Sequence, residues 1–99
     1  MIIVYFTMKI GKGTREDFIA DLTAIDAFES TRREDGNISY EYLYSTEKQD
    51  VVVGVERWRD LDAFKTHLGG DGVKALGEIN EKYAIELEPS LMQAELVDL

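Results

Sequence analysis

Residues 2 to 10, "IIVYFTMKI", are β-branched and aromatic and stop at Gly11-Lys12-Gly13, the pattern of a strand that halts at a turn. Thr14 and Asp17 then have the spacing of a capping box. Phe18, Leu22 and Ile25 recur at helical intervals behind them, which predicts one helix ending near Asp35-Gly36. Ile38 to Ser45 alternates Ile38, Tyr40, Tyr42 and Tyr44 against Ser39, Glu41, Leu43 and Ser45. After a polar turn over Thr46 to Asp50, a second extended run reaches from Val51 to about Trp58, so the two runs form a hairpin. Asp60 suits the N-cap of a short helix with Leu61, Phe64 and Leu68 inward, ended by Gly69-Gly70. A further helix spans about Val73 to Tyr83 with Val73, Leu76, Ile79 and Tyr83 on one side, and a last strand follows Pro89 from roughly Leu91 to Val97.

Strand, helix, strand, strand, helix, strand is the split βαβ, ferredoxin-like plan of an α+β protein, an antiparallel sheet with helices on one face. Helices on one face leave the other bare. Yet the first strand is apolar on both sides (Ile2, Val4, Phe6, Met8 and Ile3, Tyr5), and the third sets Val51, Val53 and Val55 against Val52 and Trp58. A monomer would expose an apolar patch above the few hundred Å² usually tolerated, so two sheets are expected to pack face to face in a two-fold homodimer. Because both faces of the third strand are apolar, its alternation leaves open which of them meets the helices.

Composition narrows the function classes. Ninety-nine residues with 44% hydrophobic content suffice for one domain, residues 1–99, and not for two cores. The net charge of −9 would repel phosphate backbones and anionic bilayers, which argues against nucleic acid and membrane partners. The apolar run Met1 to Met8 lacks a basic leader and a cleavage pattern and falls far short of the roughly 20 residues that span a bilayer. A cytoplasmic protein is expected. With no cysteine and one histidine, disulfide frameworks, thiolate nucleophiles and the usual zinc sites are excluded or disfavoured, and no metal is expected.

Three stretches, "KIGKGTREDFIADL", "REDGNISYEYLYS" and "VGVERWRDLDAFKTHL", resemble the antibiotic biosynthesis monooxygenase family, small dimeric α+β barrel proteins. The third is the most specific, with Glu56, Trp58, Ala63 and His67 matching a Glu-x-Trp strand end followed by a helix that carries Ala and His. In the first, "IGKG" stands where a proline often precedes the glycine. Relatives on this fold include quinol monooxygenases, hydroxyanthrone oxygenases, haem-degrading enzymes and an isomerase of a phosphorylated sugar, so the fold alone does not choose the reaction. Haem degraders pair an Asn on the first strand with a His on the later helix; here Thr7 stands near the first position and no His follows His67.

The resemblance implies an enzyme that oxygenates a quinol or polycyclic phenol with dioxygen and no cofactor, because a deprotonated dihydroxyaromatic can itself hand an electron to O2. Such a protein must hold a flat apolar ring, remove a phenolic proton, stabilise the anion and exclude water. A phenol of pKa about 10 facing an imidazole of about 6.5 leaves roughly 5 kcal/mol for the site to supply. His67 is the candidate base, placed by helical phase at the edge of the Leu61, Phe64, Leu68 stripe, where a helix-end or surface histidine is the plainer reading. Glu56 and Trp58 share a strand face about 6.6 Å apart, suiting a carboxylate that orients His67 and an indole that stacks on substrate, or else a core tryptophan and a structural carboxylate. Asn37, Tyr40 and Tyr42 are the candidate donors to substrate, against a turn asparagine and a packing ladder of tyrosines. Arg32 and Arg33 suit a helix C-terminus, whereas an inward Arg32 or Arg57 would instead point to an anionic substrate and an isomerase. A pocket filled by packed side chains would point to a non-catalytic dimer that binds a small ligand.

Overall fold

The computed structural model describes all 99 residues. Strands β1 (Ile2–Lys9), β2 (Asn37–Tyr44), β3 (Val51–Trp58) and β4 (Glu86–Gln93) form one antiparallel sheet in the order β2-β3-β1-β4. Two helices fill each crossover, α1 (Arg15–Ala24) with α2 (Ala27–Arg32) and α3 (Leu61–Leu68) with α4 (Asp71–Lys82). This is the ferredoxin-like α+β plan that the alternation predicts. No helix is long and apolar enough to cross a membrane.

The register decides which sheet face is inner. Ile2, Val4, Phe6 and Met8 of β1 stand beside Trp58, Glu56, Gly54 and Val52 of β3, and this row meets the helices. Two buried clusters result. Met8, Ile10 and Val52 pack with Phe18, Leu22, Ala27 and Tyr83, while Ile2, Val4 and Trp58 pack with Ala63 and Phe64. Phe6 touches both clusters, so the seam between them lies over the middle of β1 and β3.

The opposite face carries Ile3, Tyr5, Leu43, Val53, Val55 and Met92, and no helix covers it. Tyr5, Leu43 and Met92 remain 37%, 48% and 41% exposed.

Four local features depart from the sequence pattern. The predicted first helix breaks at Asp26, which takes a left-handed conformation (φ 57°) that aspartate tolerates better than most residues. The break turns Ile25 outward and brings Ala27 and Thr31 onto the buried side. In β2 the register slips between Asn37 and Ser39, so Ile38 is the extra residue of a bulge and lies exposed, outside the tyrosine row it was expected to join. In α3, Asp60 does cap, its Oδ1 accepting the Ala63 N–H at 2.8 Å, but the inward residues are Ala63, Phe64 and His67, whereas Leu61 and Leu68 are exposed. Trp58 sets that phase, since its indole fills the space beneath Phe64 and His67. Finally, β4 begins before Pro89 rather than after it. As an edge strand paired only with β1, it tolerates a residue that has no N–H.

Two contacts fix the ends of β2. Gly36 adopts φ +85° where a Cβ would come within 2.5 Å of the Ala63 Cβ, so the α2–β2 turn lies directly on α3. At the other end, Arg15 Nη1 donates to the carbonyls of Ser45, Lys48 and Val51 at 2.8, 3.0 and 3.3 Å, with its guanidinium over the Tyr44 ring.

Candidate active site

A cavity of about 190 Å³ opens at the seam between the two clusters. The sheet contributes Phe6, Tyr40, Tyr42, Glu56 and Leu87 to it, and the helices contribute His67 and Leu68 from α3 with Val73, Leu76, Gly77 and Asn80 from α4. The α4 residues fall at positions 73, 76, 77 and 80, one helical stripe turned toward the opening. A larger groove of about 860 Å³ runs along α2 and the free side of β2, but it is open and largely edged by hydrated side chains such as Asp26, Glu29, Arg32 and Glu41. The smaller space is where buried ionisable groups converge.

His67 is 5% exposed and Glu56 3% exposed. The imidazole stands between two carboxylates. Glu34 Oε2 and Oε1 lie 2.8 and 3.1 Å from Nδ1, and Glu56 Oε1 lies 3.7 Å from Nε2. With Glu34 accepting the Nδ1 proton, Nε2 is the ring atom left to exchange a proton. The Trp58 indole N–H donates to Glu56 Oε1 at 3.0 Å, and its ring backs the imidazole at 4.8 Å between centroids. Trp58 is therefore a wall behind His67 and Glu56 and does not line the cavity.

Burial pushes the Glu56 carboxyl above its ordinary 4.5, reinforced by the Glu34 charge, while the Trp58 hydrogen bond and His67 pull it back. Tyr40 and Tyr42 lie side by side, Tyr40 Oη donating to Tyr42 Oη at 3.1 Å. Burial raises both phenols, aided by the Glu56 charge; Tyr42 moves up to about 12 and Tyr40 further. Both keep their protons at neutral pH. Since Tyr40 spends its proton on Tyr42, the Tyr42 proton is the one free to be donated onward.

The remaining candidates lie elsewhere. The Asn37 amide donates to the carbonyls of Ser39 and Arg57 at 3.2 and 3.4 Å, closing the bulge, and is not part of the cavity wall. Arg32 Nη2 and Nε donate to the Tyr40 carbonyl at 2.7 and 3.0 Å, and Arg57 Nη1 donates to Ser39 Oγ at 3.1 Å. Neither guanidinium enters the cavity, whose wall holds no Lys or Arg. Sequence reasoning missed Glu34 and Asn80. Glu34 sits in the charged run "STRRED", where nothing in the spacing marks it, and only the Gly36 turn brings it to α3.

The raised Glu56 carboxyl makes a pH prediction. A carboxyl that holds its proton more tightly when folded favours the native state below its unfolded pKa of about 4.5, and that contribution is lost as pH rises through the higher folded value. Glu56→Gln removes this titration and keeps an oxygen for the Trp58 N–H. The variant's Tm, relative to the parent, is expected to climb as pH rises from the ordinary carboxylate range toward neutrality. A Tm difference that stays flat across that range would remove Glu56 as a strained carboxylate.

The fold has relatives. The structure matches that of "a putative antibiotic biosynthesis monooxygenase" from Deinococcus radiodurans over 100% of this chain and 98% of the other, with a TM-score of 0.82 at 22% identity. SnoaB, a cofactor-independent oxygenase from Streptomyces nogalater, matches over 97% and 94% with a TM-score of 0.81 at 20% identity. At such identity the likeness speaks to the fold. In sequence, "Putative monooxygenase YcnE" of Bacillus subtilis (strain 168) is 27% identical over 67 residues, 68% of each chain. The model of the family described as antibiotic biosynthesis monooxygenase matches residues 1–78, well over half the chain and including β1 through most of α4, and the protein belongs to that family.

Proposed function

We propose that the protein is a cofactor-free monooxygenase of a small phenolic substrate, with His67 as the base that removes the phenolic proton. The observation that carries this reading is the imidazole held between Glu34 and Glu56 at the wall of an otherwise largely apolar cavity. A proton arriving on Nε2 leaves a positive ring whose Nδ1–H already rests on the Glu34 carboxylate, the arrangement by which an acidic partner orients and charge-balances a histidine. Tyr42, protonated and supported by Tyr40, supplies a donor for the phenolate oxygen. Apolar walls from Phe6, Leu76 and Leu87 keep water from the anion while it reacts with O2.

For a quinol the reaction balances as one substrate plus one O2 giving a hydroxylated quinone and one water. One oxygen atom joins a ring carbon, two hydrogens leave in the water, and the four electrons lost by the substrate are gained by dioxygen. The fold neighbour SnoaB is a cofactor-independent oxygenase, which supports chemistry of this kind on this scaffold. A cavity without Lys or Arg counts against the anionic substrate of a sugar-phosphate isomerase. The working unit we propose is a homodimer joined through the bare sheet face, as the family resemblance also implies.

Oxygen uptake by metal-stripped protein with a panel of quinols and hydroxyanthrones tests the reading. Uptake above autoxidation, with one O2 consumed per product and no accumulating peroxide, is the expected result. Uptake no faster than autoxidation for every member overturns it.

A further inference from the structure

Asn80 sets a second polar point on the wall of the same cavity. It stands on the stripe of α4 that borders the opening, with Val73, Leu76 and Gly77, and the residue is half-buried. Its Oδ1 is sealed inside the fold and has no hydrogen-bond partner. The two ends of a planar amide diverge, so the end that faces the open side is the NH2 group. The reverse orientation would seal two donors in place of one acceptor, and a buried donor without a partner is the rarer state.

The rest of the wall is short of donors. It holds no Lys or Arg, and Phe6, Leu68, Val73, Leu76 and Leu87 offer nothing polar. Tyr40 spends its hydroxyl proton on Tyr42, and Glu56 Oε1 accepts from the Trp58 indole. An oxygen anion formed beside His67 therefore has, apart from the proton it has just given up, two neutral donors. They are the Tyr42 hydroxyl on the sheet side and the Asn80 NH2 group on the helix side. The acidity of a phenol lies about 10³–10⁴-fold below that of an imidazolium. One hydrogen bond to a charged oxygen recovers about tenfold to hundredfold of that gap. A single donor leaves the gap open, and two close most of it.

We infer that Asn80 is a further catalytic residue, its Nδ2 donating to the phenolate oxygen from the helix side while Tyr42 donates from the sheet side. The inference rests on the monooxygenase reading for the anion, and on the orientation of the amide and the donors of the wall for the residue. In the step it serves, the phenol O–H bond breaks, the proton joins His67 Nε2, and the electron pair stays on the oxygen that Asn80 and Tyr42 hold. Preorganised neutral donors of this kind stabilise charge where it develops, at the moment of proton transfer.

The test is the ionisation of 2,6-difluorophenol bound without oxygen, read by fluorine NMR over a pH series beside the free ligand. In the parent, the ratio of phenolate to phenol in the bound ligand is expected to exceed that of the free ligand at the same pH. Asn80→Leu should lower the bound ratio about tenfold to hundredfold, the loss of one donor to a charged oxygen. Asn80→Asp keeps the shape of the side chain and sets an oxygen where the NH2 group stood. It should lower the ratio at least as far, and it decides the matter if the leucine variant does not fold. Because the two forms of one ligand share one cavity, loosened packing that weakens both alike leaves their ratio unchanged. A parental ratio in either folded variant overturns the inference, as does a parent in which the bound ligand is no more ionised than the free one. Oxygen uptake with the quinol panel separates this inference from the one beneath it. An Asn80-dependent ratio without uptake sinks the oxygenase reading and leaves the donor standing, whereas uptake with an Asn80-independent ratio does the reverse.

Discussion

His67→Ala is expected to lower oxygen-dependent turnover by about 10²–10⁴-fold, the usual contribution of a positioned acid–base group, with a much smaller change in KM. The direction follows from where the imidazole sits. Alanine leaves Glu56 as the nearest proton acceptor, and Glu56 is already pushed toward its protonated form by burial beside Glu34. Neither tyrosine can take over, since burial keeps both phenols protonated at neutral pH. His67 is also packed against Trp58 and Phe64, so the variant will lose stability and its melting curve must be recorded beside its rate. Glu34→Gln separates the two effects. It keeps a carbonyl oxygen for Nδ1–H and removes the charge, so turnover should fall while Tm changes little. A His67→Ala protein that melts above the assay temperature and turns over at the parental rate would end the assignment.

The second large effect is expected on the bare side of the sheet. Tyr5 stands at the middle of β1 between Val55 of β3 and Ser90 of β4, on the face that no helix covers. Tyr5→Asp places a charge that solvent can reach in a monomer. In a face-to-face dimer the same charge is buried twice, close to its two-fold mate, at several kcal/mol per ion. Each 1.4 kcal/mol is a factor of ten in the dissociation constant, so the dimer should give way to the 11.3 kDa monomer at micromolar concentration. Sedimentation velocity reads the result. A parent that is monomeric would remove the proposed dimer, and a variant that stays dimeric would place the contact elsewhere.

The strands were readable because their side chains alternate against a buried face, and the β1–β3 register keeps that alternation unbroken from Ile2 to Lys9. What escaped were places where one residue changes phase. Nothing in the residues flanking Asp26 announces a left-handed backbone, and Ile38 fits the alternation of β2 until the bulge removes it from the ladder. The α3 face was misjudged for a similar reason. Leu61 and Leu68 look like core by composition, but the indole beneath the helix selects Ala63, Phe64 and His67, which moves His67 from the edge of the buried stripe into it. Glu56 and Trp58 were legible as a pair from their two-residue spacing. Glu34 and Asn80 were not, because each joins the site through tertiary contacts made by residues distant in the chain.

The grip of Arg15 on the β2–β3 connection bears on how this sequence can drift. Its guanidinium reads only carbonyl oxygens, at Ser45, Lys48 and Val51, and a carbonyl is common to every amino acid. The shape of the loop is thus set partly from outside the loop, beside the Ser45 hydroxyl that accepts the Glu47 and Lys48 N–H groups. The side chains of Thr46, Glu47 and Gln49 take no part in that grip, and the residue that makes it lies about thirty positions upstream. Lysine there, a point charge without a planar face, would not reproduce the stacking of the guanidinium on Tyr44 that accompanies the three carbonyl contacts.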